Sequence, residues 1–538
     1  MTKRALIHVD NTEGILEFAD YLASSGWKIL SANKTEELLQ KQKIPVVHEN
    51  TLVSADMYIS ETSRLIRNIL LTQYDSDTSE DQENDENNIF IICMNVDPLF
   101  SVANSSNSFD SNVCPSNFFI SSILRSAFSN YENLLILTDP ADYKEAIIQL
   151  KTGEITKKFR LYLAAKALNL ISSFDGGIAS SILQSQTYDS PFLKYLTYPF
   201  KKDVQLAKGT NKQQTAYLYK LATNNSAISN FHRINGKELS FSELSDCFYA
   251  WEQINTLYTI LKNQFKVKST NADGYDFTTQ FTPLTGTVFT IAVKFNSIVG
   301  AALSTNTVDS LKKTCLYDYD CTDDVVFACS AVIDADAAKE LINYKVAAIV
   351  APSFTNDAKE VFAQNKKIKL ITSGKVENFK YDAKLVGGGI IMQNNDATLF
   401  DSWKVKTKNR PSQIITDEMA FGMLLAMKAR SYSAVLLKDN AIVGISQGCT
   451  STFKAVEGAY YESYMHAKRI NAPEGEPFGD VLISDAEIEF NDTIKKFIDS
   501  GIKAIIQTGG TPTDNEFINY CDEKGIVMVF TEKTHISF

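Results

Sequence analysis

Residues 5–39, ALIHVDNTEGILEFADYLASSGWKILSANKTEELL, run through two cycles of strand and helix. ALIHV is apolar enough for a buried strand, and between Gly14 and Ser25 the residues Ile15, Phe18, Ala19 and Leu22 recur at helical spacing. WKILSA gives a second strand, and the segment through Leu39 a second helix. This βαβα opening predicts a parallel sheet covered by helices. Farther along, IFIICMNV and NLLILTD read as strands, a helix starts near Asp142, and helical patterning holds from about Ile155 to Leu183. The polar, Lys-rich stretch from Pro199 to Gln214 marks the main boundary, which predicts domains at 1–198 and 199–538.

Beyond that boundary strands are expected at TVFTIAVKF, VVFACSAVI, AAIVAP, IKLITS, GGIIMQ, SAVLLKD, IVGISQ, AIIQTG and IVMVF. Helices fit between many of them, for example Ala335 to Asn343 and Thr355 to Gln364, so two α/β layers are expected and no tandem repeat of fixed period is evident. A chain of 538 residues exceeds one ordinary core. With 44% hydrophobic and 22% charged residues, burial can offset chain entropy, which excludes a disordered or fibrous protein. The net charge is −11, and seven acids without a base crowd into Asp75–Glu86, which reads as a solvated loop at about 75–88. No broad basic face is available to displace counterions, so nucleic acid is not an expected partner. No apolar run is long enough to cross a membrane and the first residues lack a leader pattern, so a cytoplasmic protein without a membrane partner is expected. Eight cysteines without a CxxC pair read as reduced thiols.

Two local patterns carry chemistry. In AIIQTGGTPTDNEFI, Gly509 and Gly510 follow a strand and Asp514 precedes a helix, so backbone amides can approach an anion. The same residues also suit a plain strand-to-helix turn with Thr513 or Asp514 as the cap. Lys294, ending TVFTIAVK, can hold an anion or handle a proton, or simply end a strand in water. The five histidines, His8, His48, His232, His466 and His535, lack metal-ligand spacing, so no metal site is expected. The P-loop pattern GxxxxGK[ST] does not occur.

Residues 481–535 resemble, in order and spacing, the last segment of the bifunctional AICAR transformylase/IMP cyclohydrolase family of purine synthesis, and residues 4–46 are similar to its opening. GTNKQQTAYLY, NGKELSFSEL, AAIVAPSF, LVGGGIIMQ and AIVGISQG follow in family order. The resemblance implies a methylglyoxal-synthase-like α/β domain, followed by a transformylase domain of two cytidine-deaminase-like α/β units, in an intertwined homodimer. It also implies formyl transfer from formyltetrahydrofolate, as co-substrate, to the AICAR amine and closure of the ring to IMP, with no bound cofactor. Such a transfer needs a base near the amine, a donor for the carbonyl oxygen and cations for phosphate.

The motif positions are altered. VKFNSIVG keeps Lys294 and Gly300 but places Phe295 where the family has histidine, so a proton-exchanging ring is replaced by an inert one. AKGTNKQQ keeps Gly209, Asn211 and Gln214, with Ala207, Lys208 and Gln213 at the arginine, tyrosine and histidine positions. The Lys-Ser-Asn motif reads Arg430, Ser431, Tyr432, and Cys449 and Thr452 stand at a glutamine and an arginine. Ser484, Asp485 and Ala486 match, but Glu487, Ile488 and Glu489 replace aromatics and proline, and Phe538 replaces the last histidine.

In the cyclohydrolase half, Asp10, Asn11 and Thr12 stand for Ser-Asp-Lys, and Ala32, Asn33 and Lys34 for a Thr-Gly-Gly phosphate loop flanked by retained Ser31 and Thr35. The lysine- and histidine-bearing stretch has no counterpart between Tyr58 and Leu71. Arg125 and Ser126 are kept, Ser129 stands at the lysine and Asn117 at the aspartate. The expected function is therefore a family homologue with impaired catalysis and a binding or scaffold role. The alternative is an active transformylase rebuilt on Lys294, with Lys208 or Arg430 holding phosphate. AICAR and IMP are the expected nucleotides.

Overall fold

The computed structural model describes residues 3–49, 61–72, 88–96, 115–185, 192–221, 231–261, 266–283, 286–316, 324–374, 381–473 and 478–537. The acidic tract Asp75–Glu86 and Phe538 lie outside them, as does the side chain of Asn117. The chain divides into two compact units, Met1–Asp203 with Tyr219–Asn225, and Val204–Leu218 with Ser226–Phe538.

The first unit holds a five-stranded sheet in the order Val47–His48, Lys28–Ser31, Arg4–Val9, Ile91–Asn95, Leu135–Leu137, with every pair parallel. Alternation along the first strand separates two cores: Ala5, Ile7 and Val9 join Ile15, Phe18 and Leu22, whereas Leu6 joins Ile92, Met94 and Leu124. The strand order reverses between Arg4–Val9 and Ile91–Asn95, which opens a crevice at their carboxyl ends.

The second unit carries one continuous 14-stranded sheet in place of the two layers expected. The element order is also duplicated, which fixed-period inspection misses because the copies differ in loop length. Helix Phe241–Leu261 is followed, after an extra strand pair Lys266–Thr270/Asp276–Gln280, by hairpin Val288–Lys294/Ser297–Ser304 and helix Thr307–Leu316, then strands Val325–Cys329, Val346–Ala351 and Lys369–Thr372 with helices between. Helix Gln413–Lys428, hairpin Ala434–Lys438/Ala441–Ser446, helix Thr452–Arg469 and strands Val481–Ser484, Ala504–Gln507 and Val527–Phe530 repeat that course. The copies abut where Ser297–Ser304 neighbours Ala441–Ser446.

Both hairpins turn through two residues of left-handed backbone, Phe295 and Asn296 (φ 54° and 54°) and Asp439 and Asn440 (52° and 57°), as a two-residue hairpin compatible with strand twist requires. Each turn is met by a buried carboxylate from the preceding helix. Asp246 accepts from the Phe295 and Asn296 amides at 3.0 and 2.6 Å, and Glu418 accepts from the Asn440 amide at 2.7 Å. Burial raises the Glu418 carboxyl, helped by the charges of Asp480 and Asp439 and opposed by the Asn440 amide and Lys503. A carboxyl raised on folding contributes stability below its unfolded value and loses it as pH rises through the folded value. Glu418→Gln is therefore expected to gain on the parent between pH 5 and pH 8. Urea unfolding at the two pH values checks this, and a difference that does not change with pH removes it.

Candidate functional site

Lys294 ends its strand beside the turn, with Nζ 5.9 Å from the centre of the Phe295 ring. That ring is 65% exposed, so the position expected to exchange protons presents hydrocarbon to solvent. Burial raises the Asp246 carboxyl, although the turn amides and the Lys294 charge pull the other way. On the same helix Tyr249 donates to the Lys428 carbonyl at 2.5 Å, which brings Phe241–Leu261 to the segment holding Arg430 and Ser431.

Arg430 is exposed, and its carbonyl accepts from the Gly448 amide at 2.7 Å. Ser431 points inward: its Oγ donates to Asp485 Oδ2 at 2.6 Å and accepts from the Ser537 amide at 2.9 Å. Asp485 is fully buried and also accepts from the Ser433 amide at 3.0 Å. Burial raises its carboxyl, while the bonds from Ser431 and Ser433 act to lower it. The chain terminus is stitched alongside, with fully buried His535 placing Nδ1 2.5 Å from Asp396 and Nε2 3.0 Å from the Leu399 carbonyl. Sequence reading missed Asp246 and Asp396 as organisers of this region, since neither lies in a motif, and took His535, inside the family-like terminal segment, only as a histidine without metal-ligand spacing; each acts across a long stretch of chain.

The loop after Leu206 closes on itself. Gly209 donates to the Gln214 carbonyl at 2.7 Å, and Gln214 Oε1 accepts from the Asn211 amide at 2.8 Å. A Cβ at Gly209 would collide with Gln214, so glycine is needed for this closure. Lys208 remains exposed, its carbonyl taken by the Phe241 amide at 2.9 Å. The glycine loop behaves likewise: Gly510 donates to Asp514 Oδ2 at 2.7 Å, and Thr511 Oγ1 donates to Asp514 Oδ1 at 2.5 Å. The chain's own carboxylate thus sits where an anion would meet that amide. Gly509 has φ 76°, and its missing Cβ leaves room for the Phe530 ring.

In the first unit, Ser31 Oγ donates to the Ile7 carbonyl at 2.7 Å, and Thr35 Oγ1 accepts from the Val9 amide at 3.1 Å. Both are buried and brace the first strand. Arg125 pairs with Asp175 at 2.6 Å, both partly exposed. Asn95 spans the crevice, accepting from the Asp10 and Asn11 amides at 2.8 and 2.9 Å and donating to the Asn11 carbonyl at 3.2 Å. Its position at a strand's carboxyl end was the available signal, and no motif pointed to it. Burial lowers the nearby His8 imidazole, against the charge of Asp10. Among the described residues no cluster suited to a metal ion occurs, and no helix is long and apolar enough to cross a membrane.

These features define a two-unit α/β protein with polar groups gathered at strand ends and hairpin tips. The model of the AICARFT/IMPCHase bienzyme family matches residues 127–462. The chain is 30% identical to the bifunctional purine biosynthesis protein PurH of Clostridium acetobutylicum over 549 residues, covering 99% of each. It is 28% identical to the protein of the same name from Brachyspira hyodysenteriae over 547 residues, again covering 99% of each. The crystal structure of ForH aligns with 34% of this chain and 100% of its own, at 22% identity and a TM-score of 0.29, too low to bear on the fold. The chain belongs to the AICARFT/IMPCHase bienzyme family and is a homologue of purine biosynthesis proteins.

Proposed function

We propose that this family member has lost formyl transfer and ring closure and keeps a nucleotide-binding or scaffold role. The observation that carries the reading is Phe295, an exposed hydrocarbon ring at the position where the resemblance calls for imidazole. The groups around the expected phosphate contacts support it: Gly510, Gln214, Ser31, Thr35 and Arg125 all bond within the chain. Exposed Arg430 and Lys208 supply cations for a nucleotide phosphate such as that of AICAR or IMP. Formyltetrahydrofolate belongs to the alternative reading, in which Lys294 serves a rebuilt transformylase.

A homodimer fits the ribbon Tyr381–Val386/Gly389–Asn394, which among the described residues pairs with no other strand and leaves Leu385, Ile390 and Ile391 exposed. Two isolated strands are marginal without further packing. The gene is expected not to restore growth of a purine-requiring strain that lacks the family enzyme, while calorimetry on the purified chain detects IMP or AICAR. Restored growth overturns the loss of catalysis. Absence of heat with either nucleotide leaves the scaffold role alone.

A further inference from the structure

Strands Ser297–Ser304 and Ala441–Ser446 join the two copies of the duplicated unit, yet their ladder registers the single pair Ala302–Ala441. The Leu303 amide adds a bond to the Asn440 carbonyl at 2.9 Å. At the other end a side chain takes the place of the ladder. Gln447 Nε2 donates to the Ile298 carbonyl at 2.8 Å, and Gln447 Oε1 accepts from the Ile298 amide at 3.3 Å. A carboxamide carries a donor and an acceptor side by side, so it reproduces the paired bonds of a strand neighbour while holding the backbones a side chain's length apart.

Both sides of this bridge lead to the candidate site. Ile298 lies just past the turn that follows Lys294. Gly448, next to Gln447, bonds the Arg430 carbonyl at 2.7 Å, and a Cβ on Gly448 would lie 3.3 Å from Arg430 Cδ. The short path Lys294, Ile298, Gln447, Gly448, Arg430 therefore links the two cations across the seam.

We propose that Gln447 is a positioning residue that sets the spacing between the Lys294 hairpin and the Arg430 segment, and with it the fit of a nucleoside monophosphate whose phosphate Arg430 holds. This rests on the nucleotide-binding reading above. Gln447→Leu keeps comparable bulk and removes both bonds. In the full chain, hydrogen exchange at the Ile298 amide is expected to quicken about tenfold, the effect of losing roughly one net hydrogen bond, with Leu303 unchanged. IMP affinity measured by calorimetry is expected to fall about tenfold in parallel.

Gln447→Met, unbranched and of similar length, supplies the same comparison where the leucine variant does not fold. Ile298 exchanging at the parental rate in a folded variant overturns the proposal. So does faster exchange with IMP affinity unchanged. If the parent itself does not bind IMP, the nucleotide reading falls, and the bridge is judged on exchange alone.

Discussion

Given AICAR and formyltetrahydrofolate, the purified protein is expected to form formylated product at least about 10⁴-fold more slowly than an ordinary enzyme turning over about ten times per second. One positioned acid or base contributes roughly 10²–10⁴-fold. Phe295 has no proton to exchange, and its turn amides are already bound by Asp246. A lost oxyanion donor costs about a further 10²–10³-fold. Tyr432 stands where the resemblance places such an amide, and its backbone N–H is directed to the Cys449 carbonyl at 3.0 Å. Cooperating groups do not add independently, so the two losses are not multiplied in full. Lys294→Ala should leave the residual rate at saturating nucleotide where it was, because the neighbouring Phe295 ring can neither take up nor give a proton. A turnover of order one per second that collapses in Lys294→Ala would establish the rebuilt transformylase instead.

Gly444→Ala and Gly300→Ala are each expected to destabilise the second unit by about 3 kcal/mol, at the upper end of ordinary overpacking. A Cβ on Gly444 would run into the Ala459 carbonyl of helix Thr452–Arg469, and one on Gly300 into the Thr314 carbonyl of helix Thr307–Leu316. These obstacles are backbone atoms within helices, so no rotamer change relieves the clash. The two glycines occupy equivalent places in the duplicated hairpins, and the penalties should be alike. Urea unfolding measures both, and a loss under about 1 kcal/mol in each would show that the helices shift freely over the sheet.

Much of the architecture was legible locally. Strand and helix follow from side-chain periodicity, and Ile15, Phe18, Ala19 and Leu22 are buried together as their spacing predicts. The glycine loop was ambiguous because Gly509–Gly510 followed by Asp514 suits either an external anion or an internal carboxylate. The geometry gives the Gly510 amide to Asp514. Gln214 and Ser31 read as survivors of a binding motif, yet their polar atoms brace a loop and a strand. Residue type states what a group can bond, while the partner depends on what folding brings beside it.

The resemblance implied two α/β units, but their duplication could not be read from the residues themselves, for a related reason. Lys294-Phe295-Asn296 and Lys438-Asp439-Asn440 are short, dissimilar tripeptides until the shared turn geometry and the carboxylates of Asp246 and Glu418 are set beside them.

By itself the sequence determined the α/β class, the order of elements, the family resemblance and the absence of the reactive side chains, because each of these is written in residue type and short-range spacing. Only the tertiary structure decided that both copies share one sheet, that Asp514 occupies its own loop, and that Gln447 joins the seam to a residue 149 positions away. Contacts at such separation depend on how whole elements pack, and that information is spread over many buried side chains at once.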